Sequence, residues 1–575
     1  MMRRSIKSRA VALALMAASA AAFALNAGGS APVSAQASSD TGSGAASLRI
    51  VAMRRITEAQ YRNTIADIFG PDIRVAGRFE PIVRPVHELI ASGASDAAIS
   101  PTGLENFDAM ARVISAQVFD EKHRAQFVPC APASGSAADD SCAAASLAPL
   151  GHYLFRRPLS ESETAFYVKL AGEAAGKSGS FWKGLELSLG AMLVSPNYLY
   201  VIERGEPDPA NPGSLRLDNQ TRATRLAMML WNSTPNAALL KSAEEGRLTD
   251  QAQLNATAAA MVNSPRFEQG VRAFFADMLL FEKFDDLAKD PIVYPYFNQE
   301  VAAALPEQTL RSITDLLLTR NGDYRQIFTT NRTFMTRVLG PLYQVQVHRS
   351  SGWEAHDFPA GDDRAGILGQ AGFLSIYSHS GRSSPTLRGR AIREVLMCQP
   401  VPNPPGNVNF TAVQDVHNVA KPTARDRLSA HATDPSCSGC HRITDPVGLS
   451  LEKFDGIGAF RSHENGAAID SAGQIDGADF QGAEGLGKLL ADNPATTECV
   501  ATRALEYAMG KPSEDDALIT AITKKFGENG YSIRSLFLQA ATMPAVWQVK
   551  SAPIPATAQV SLAAPAGAAI RLPRR

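Results

Sequence analysis

The chain repeatedly writes a helix start: a Thr, Ser or Asp, often with Gln or Glu three residues on, ahead of apolar residues at helical spacing. Thr57 and Gln60 form such a capping box, followed by Tyr61, Ile65, Ile68 and Phe69 on one face and by Gly70 as a stop. Ser160 and Glu163 repeat the device, with Phe166, Tyr167 and Leu170 as the expected buried stripe. A third helix is expected from Asp218, carrying Ala223, Leu226, Met229 and Leu230 and ending at Asn232. The same periodicity predicts helices at about 251–263, 266–281, 298–320, 497–509, 514–526 and 533–542. Strand-like alternation is scarce. The expected fold is mainly α, several helical modules interrupted by a long irregular Pro/Gly-rich stretch at about 345–475. Irregular stretches of that length usually surround a site or are disordered.

The N-terminus reads as an export signal. A charged MMRRSIKSR is followed by the Ala-rich apolar run Ala10–Leu25 and by small residues ending at Ala35-Gln36-Ala37, so cleavage is expected after Ala37. The run is short and Ala-rich where a membrane helix needs about 20 strongly apolar residues, so an uncleaved anchor is the weaker alternative, and no later segment has span length. General secretion is favoured over the twin-arginine route that Arg3-Arg4 faintly suggests, because the latter carries prefolded proteins. The expected location is periplasmic or otherwise exported, an oxidising space that permits disulfides. The Ala/Pro-rich tail 550–575 is expected to be disordered. Across 575 residues, 56 Lys and Arg oppose 57 Asp and Glu, so no basic excess points to a nucleic-acid partner.

Chemistry concentrates at Cys437-Ser438-Gly439-Cys440-His441, the attachment spacing of a c-type haem. Two thiols add across the vinyl groups of one porphyrin edge, so they must lie close together on a single turn. The adjacent histidine then offers its imidazole to the iron. The expectation is one covalent haem c held by Cys437 and Cys440, with His441 as axial ligand. A zinc site would want a second Cys/His pair at short spacing, and Cys398 and Cys499 stand isolated. A redox pair would want a βαβ context, and a structural Cys437–Cys440 disulfide is the remaining alternative.

For the other cysteines, Cys130 and Cys142 suit a local disulfide, and Cys398 and Cys499 a long-range one that ties the haem segment to the C-terminal helices; a buried free thiol is the rival state of each. The sixth iron ligand sets the function, since Met suits electron transfer, a second His lowers the potential and an open site allows small-molecule chemistry. Its candidates are Met509, Met543, Met397, His379 and His431. Apolar residues of the run 445–461 would wall the haem, and Arg442 or Arg461 would pair with a propionate. Ser383 to Arg390 reads as a capped helix start with basic residues, a substrate-anion role being the alternative.

These motifs together resemble secreted bacterial proteins, of planctomycete and proteobacterial type, built from consecutive domains of unknown function of the 1587, 1595, 1592, 1588 and 1585 series. Arg55 to Ile65 is similar to the first module, and Phe155-Arg156-Arg157-Pro158-Leu159 with Glu163 to the second. Leu226 to Asn232 and the helical region after it resemble the third. Ser383 to Arg390, Cys398, Pro404, Pro405, His431, Cys437, Cys440, His441, Asp445, Pro446, Gly448, Glu452, Phe454, Asp455, Gly458 and Arg461 resemble the fourth, and Tyr507 to Gly510 the fifth. The implied organisation is a signal peptide at 1–37, modules at 50–115, 145–205, 215–345, 360–465 and 475–549, and the tail. The family pattern usually has Ser where Met543 stands, which ranks Met509 first as sixth ligand. The resemblance implies a periplasmic c-type cytochrome-like protein. The first expectation for function is electron transfer to an unidentified periplasmic redox partner. The rivals are a haem-dependent oxidoreductase acting on a small or polymer-derived molecule, and a binding protein with structural haem.

Overall fold

The computed structural model describes residues 48–403, 419–433 and 435–549. The expected signal peptide at 1–37 and the expected disordered tail 550–575 lie outside them, as do Pro404 and Pro405. The expected mainly helical fold is what forms. In chain order the elements that matter most are β1 (Arg49–Arg55), α1 (Glu58–Phe69), α2 (Asp140–Phe155), α3 (Glu161–Ser178), β2 (Tyr200–Pro207), β3 (Leu215–Leu217) and α4 (Asn219–Leu230). After them come α5 (Pro385–Ala391), α6 (Ala424–Thr433), α7 (Pro435–Leu449), α8 (Pro494–Met509) and β4 (Gln548–Val549).

Both capping boxes form. Thr57 Oγ1 accepts from Gln60 N–H while Gln60 Oε1 accepts from Thr57 N–H. Ser160 and Glu163 make the same exchange, and Glu163 also takes a fork from Arg157 at 2.7 and 2.8 Å. Burial pushes the Glu163 carboxyl up, but the Arg157 fork and the Ser160 N–H win and hold it at about 2, against an ordinary 4.5. The buried stripe of α3 differs from expectation. Tyr167, Ala171 and Ala175 are buried, whereas Phe166 is exposed. The cause is close approach: a Cβ on Gly184 of the next helix, Phe181–Leu193, would lie 2.4 Å from Ala171 O, so small residues must face that contact.

The sequence pattern missed a four-stranded antiparallel sheet ordered β1-β2-β3-β4, which joins the first strand to the last. Its registers run Arg55↔Tyr200, Gly205↔Leu217 and Leu215↔Val549. β3 has 3 residues and β4 has 2, too few to display a period. Beneath it Glu203 is buried on β2 and bound by the Arg225 guanidinium of α4, whose Nη1 also donates to Val546 O. Apolar side chains gather in two large cores. One runs from Ile56 to Val201 and adds Met228; the other draws on Leu217 to Trp547, with Leu89 and Ala91.

The stretch at 345–475 is not irregular throughout. It contains α5, a π-helical turn Ile392–Leu396, α6, α7, a short hairpin at 463–468 and the first strand of another that ends at Gln481. Pro446 and Gly448 hid α7, since both are poor helix residues. Packing explains why the helix persists there. A Cβ on Gly448 would lie 1.7 Å from Pro385 O, and one on Gly389 would lie 1.9 Å from Thr444 O, so α5 and α7 touch backbone to backbone.

Two predictions follow from these contacts. Gly448→Ala should lower the urea midpoint by an amount equivalent to about 3 kcal/mol or more at unchanged m-value, whereas Gly176→Ala on α3, with nothing within 4 Å, should gain about 0.5–1 kcal/mol. Glu163 is depressed in the fold, so its contribution is present above pH 4.5 and is lost as pH falls toward about 2. The stability gap between wild type and Glu163→Gln, read by denaturation across pH, should therefore close in that window.

Candidate functional site

Cys437, Cys440 and His441 stand at i, i+3 and i+4 on α7, which puts both thiols and the imidazole on one helical face. The two cysteines are half-buried and not disulfide-bonded. Cys440 Sγ lies 3.9 Å from Pro402 O. The partly buried His441 directs Nδ1 to Asp445 Oδ2 at 2.7 Å, one helical turn on. That hydrogen bond is the main cause that raises the His441 pKa, against partial burial. An ionised carboxylate only accepts, so Nδ1 carries the proton and Nε2 is the nitrogen that would take a metal.

Asp445 is itself held. It is buried, and its Oδ1 accepts from Thr386 Oγ1 at 2.8 Å and from Thr444 Oγ1 at 3.2 Å. The chain His441–Asp445–Thr386 therefore fixes the imidazole through α5. The expected helix start at Ser383–Arg390 explains α5: Ser384 caps it, accepting from Leu387 N–H, and Pro385 opens it. Arg388, however, is no surface cation. It is fully buried and donates from Nη1 to Leu451 O, Glu452 Oε1 and Phe454 O, and from Nη2 to Ser378 Oγ and Leu374 O. Glu452 takes Ser383 Oγ at 2.7 Å and Arg461 Nη2 at 2.9 Å. Burial pushes the Glu452 carboxyl up against the pull of these two guanidiniums. Arg461 is thus engaged with Glu452 and Ser383, while Arg442 remains exposed with its Nε on Ser438 O. Val447, Leu451 and Phe454 pack into the second core.

Both cysteine pairs are disulfides. Cys130 joins Cys142 with Cα atoms 5.7 Å apart, and Cys398 joins Cys499 at 5.3 Å, tying the segment after α5 to α8. This spends the four other cysteines, and among the described residues no cluster of three or more His, Cys, Asp or Glu is arranged to hold a metal ion. Two thiols and one carboxylate-oriented imidazole on one face form a donor set that fits a covalently attached haem.

The proposed sixth ligands are scattered. Met509 ends α8, roughly 15 Å along the axis from Cys499, and the following Gly510 packs on Arg54 of the sheet. Met543 packs on the second core after the last helix, and Met397 is buried within it. His379 lies in the turn before α5, held below the ordinary histidine value by partial burial, Arg382 and Lys289, which favours the neutral, ligating form. His431 lies on α6, which packs against α7; its side chain is outside the described residues. Asp445, as the partner of His441, was missed as a functional residue. Its i+4 spacing is the available signal, readable only once 435–449 is known to be helical.

Family comparison gives five consecutive matches, each to a protein of unknown function: DUF1587 at residues 54–120, DUF1595 at 142–203, DUF1592 at 217–345, DUF1588 at 364–464 and DUF1585 at 476–545. The chain carries this five-domain series. Its DUF1588 segment holds α5, α6, α7 and the whole Cys437–His441 face. The DUF1585 segment supplies Cys499. No curated protein and no solved structure matches.

Thr386→Val should remove one donor from a buried carboxylate and lower stability by about 1–2 kcal/mol, read as a reduced urea midpoint. A midpoint equal to wild type would show that Thr386 does not hold Asp445.

Proposed function

We propose that the chain is an exported, c-type cytochrome-like protein that carries one covalent haem and transfers electrons to a periplasmic redox partner. The observation that supports this most directly is His441: its Nδ1 is fixed by a buried, twice hydrogen-bonded Asp445, and two thiols share its helical face. Cys437 and Cys440 would hold the porphyrin through thioether bonds, and His441 the iron. When bound, haem supplies a one-electron couple. Asp445 orients the ring, fixes the tautomer and raises the basicity of the ligand, and the α5–α7 contact keeps that geometry rigid. Export is supported by the signal-like N-terminus and by the two disulfides. Among the described residues no helix is long and apolar enough to cross a membrane. The family label over 364–464, PSCyt3, also points toward a cytochrome.

Protein matured in a host with cytochrome c assembly machinery should show haem added in mass to the peptide that contains Cys437 and Cys440, together with a low-spin, reducible absorption spectrum. An unmodified peptide would refute the reading. His441→Ala should lose the haem or turn it high-spin, and an unchanged spectrum would remove His441 from the iron.

A further inference from the structure

The Phe155-Arg156-Arg157 motif takes no part in the haem reading, yet it builds a second, differently charged site. Arg156 caps the C-terminal end of α2 in the left-handed conformation, at φ 57°. Its guanidinium turns inward, and Nη2 donates to the carbonyls of Asn197, Tyr198 and Tyr200 at 2.7–3.1 Å. Nη1 is buried and has no hydrogen-bond partner among the described residues. The residue is 3% exposed. No carboxylate offsets it: the ionisable groups that act on it are Tyr198, Arg54 and Arg157. Burying a guanidinium without a counter-charge is costly, and three backbone carbonyls offset that only in part.

Arg156 lies against an open surface cleft that Arg157, Arg204, Asn197, Gln220 and Thr221 also line; none of its lining residues belongs to α7. Arg204 is half-buried. Its backbone N–H donates to Thr221 Oγ1, while its guanidinium makes no hydrogen bond or ion pair among the described residues. The nearby acids are already committed. Glu163 is forked onto Arg157, and Asp218 caps α4 through Thr221 N–H. Asp218 and Glu163 act on Arg204 only through space, so three guanidiniums meet two carboxylates around one polar cleft.

We propose that this cleft binds a small oxyanion, the carboxylate or phosphate group of a solute, with Arg204 as the contacting fork and Arg156 supplying charge from behind it. Forked guanidinium recognition suits both groups. If Arg156 served only as a strut for the turn at 196–200, Arg204 would be dispensable to any anion effect.

The test is calorimetric titration of the full mature chain with inorganic phosphate, and separately with acetate, each against chloride at matched ionic strength. Saturable binding of at least one anion is expected. Tighter phosphate points to a phosphoryl ligand, and tighter acetate to a carboxylate. Arg204→Ala should weaken that binding about tenfold or more, the loss of one charge-assisted hydrogen bond, with an unchanged far-ultraviolet spectrum. Arg156→Ala removes the three carbonyl contacts and risks misfolding, so Arg204→Ala and Arg204→Lys carry the decision. No binding beyond chloride, or equal binding in wild type and Arg204→Ala, would overturn the proposal.

Discussion

Arg388 is fully buried, and the two terminal nitrogens of its guanidinium donate to the carbonyls of Leu374, Leu451, Phe454 and Asp455, to Ser378 and to Glu452. A charge so placed leaves its partners little freedom, because moving any of them strands a donor in a medium that cannot hydrate it. Leu451 to Phe454 follow α7 directly, and Leu374 belongs to the helix Ala371–Ile376 before α5. One side chain therefore pins both flanks of the α5–α7 crossing. The crossing itself is set by Gly389 and Gly448, whose missing Cβ atoms allow backbone contact. That close approach brings Thr386 to Asp445, and Asp445 fixes His441. The orientation of the imidazole is thus the last link of a chain that begins with a buried cation and two glycines.

Much of the helical framework was legible. The boxes at Thr57 and Ser160 and the cap at Asp218 are local chemistry, written within four residues and unaffected by what packs later. What failed to show was settled at long range. The stripe of α3 turned toward Ala171 and Ala175 because Gly184 admits a neighbouring helix there, a fact outside the α3 sequence. The sheet escaped notice because β3 and β4 are short and because β1 and β4 lie far along the chain from the strands they pair with. At the site, the thiol–thiol–imidazole spacing was plain. Asp445 needed α7 to be a helix, and Pro446 and Gly448 argued against one. Arg388 read as a basic residue on a helix start, since nothing local says that it will be enclosed.

The two charged sites solve their electrostatics in opposite ways. Around α7 the buried acids are matched: Glu452 faces Arg388 and Arg461, and Asp445 faces two hydroxyls and an imidazole. Such matching suits a group whose orientation must hold while charge changes nearby. At the end of α2 the guanidiniums of Arg156, Arg157 and Arg204 outnumber the carboxylates of Glu163 and Asp218, so the cleft keeps a net positive charge.

Five family segments do not amount to five folding units. The first two share one core, and the last three share the other. β4 follows the DUF1585 segment, pairs with β3, and so closes a sheet that β1 begins before the DUF1587 segment. Arg225, bound to Glu203 of β2, also uses the carbonyl of Val546 near the chain's end. An isolated DUF1588 segment would keep the Cys437–His441 face but lose Cys499, the partner of Cys398, and much of the apolar wall behind Val447, Leu451 and Phe454. The α5–α7 crossing would then rest on two glycines and one buried ion pair, with less core to exclude water from that pair. Solvent that reaches Arg388 loosens the hold on Leu451 and Phe454 first, and through α7 the hold on Asp445. The large helical mass around the short Cys437–His441 face is accounted for on these terms: it keeps the network that orients one imidazole dry.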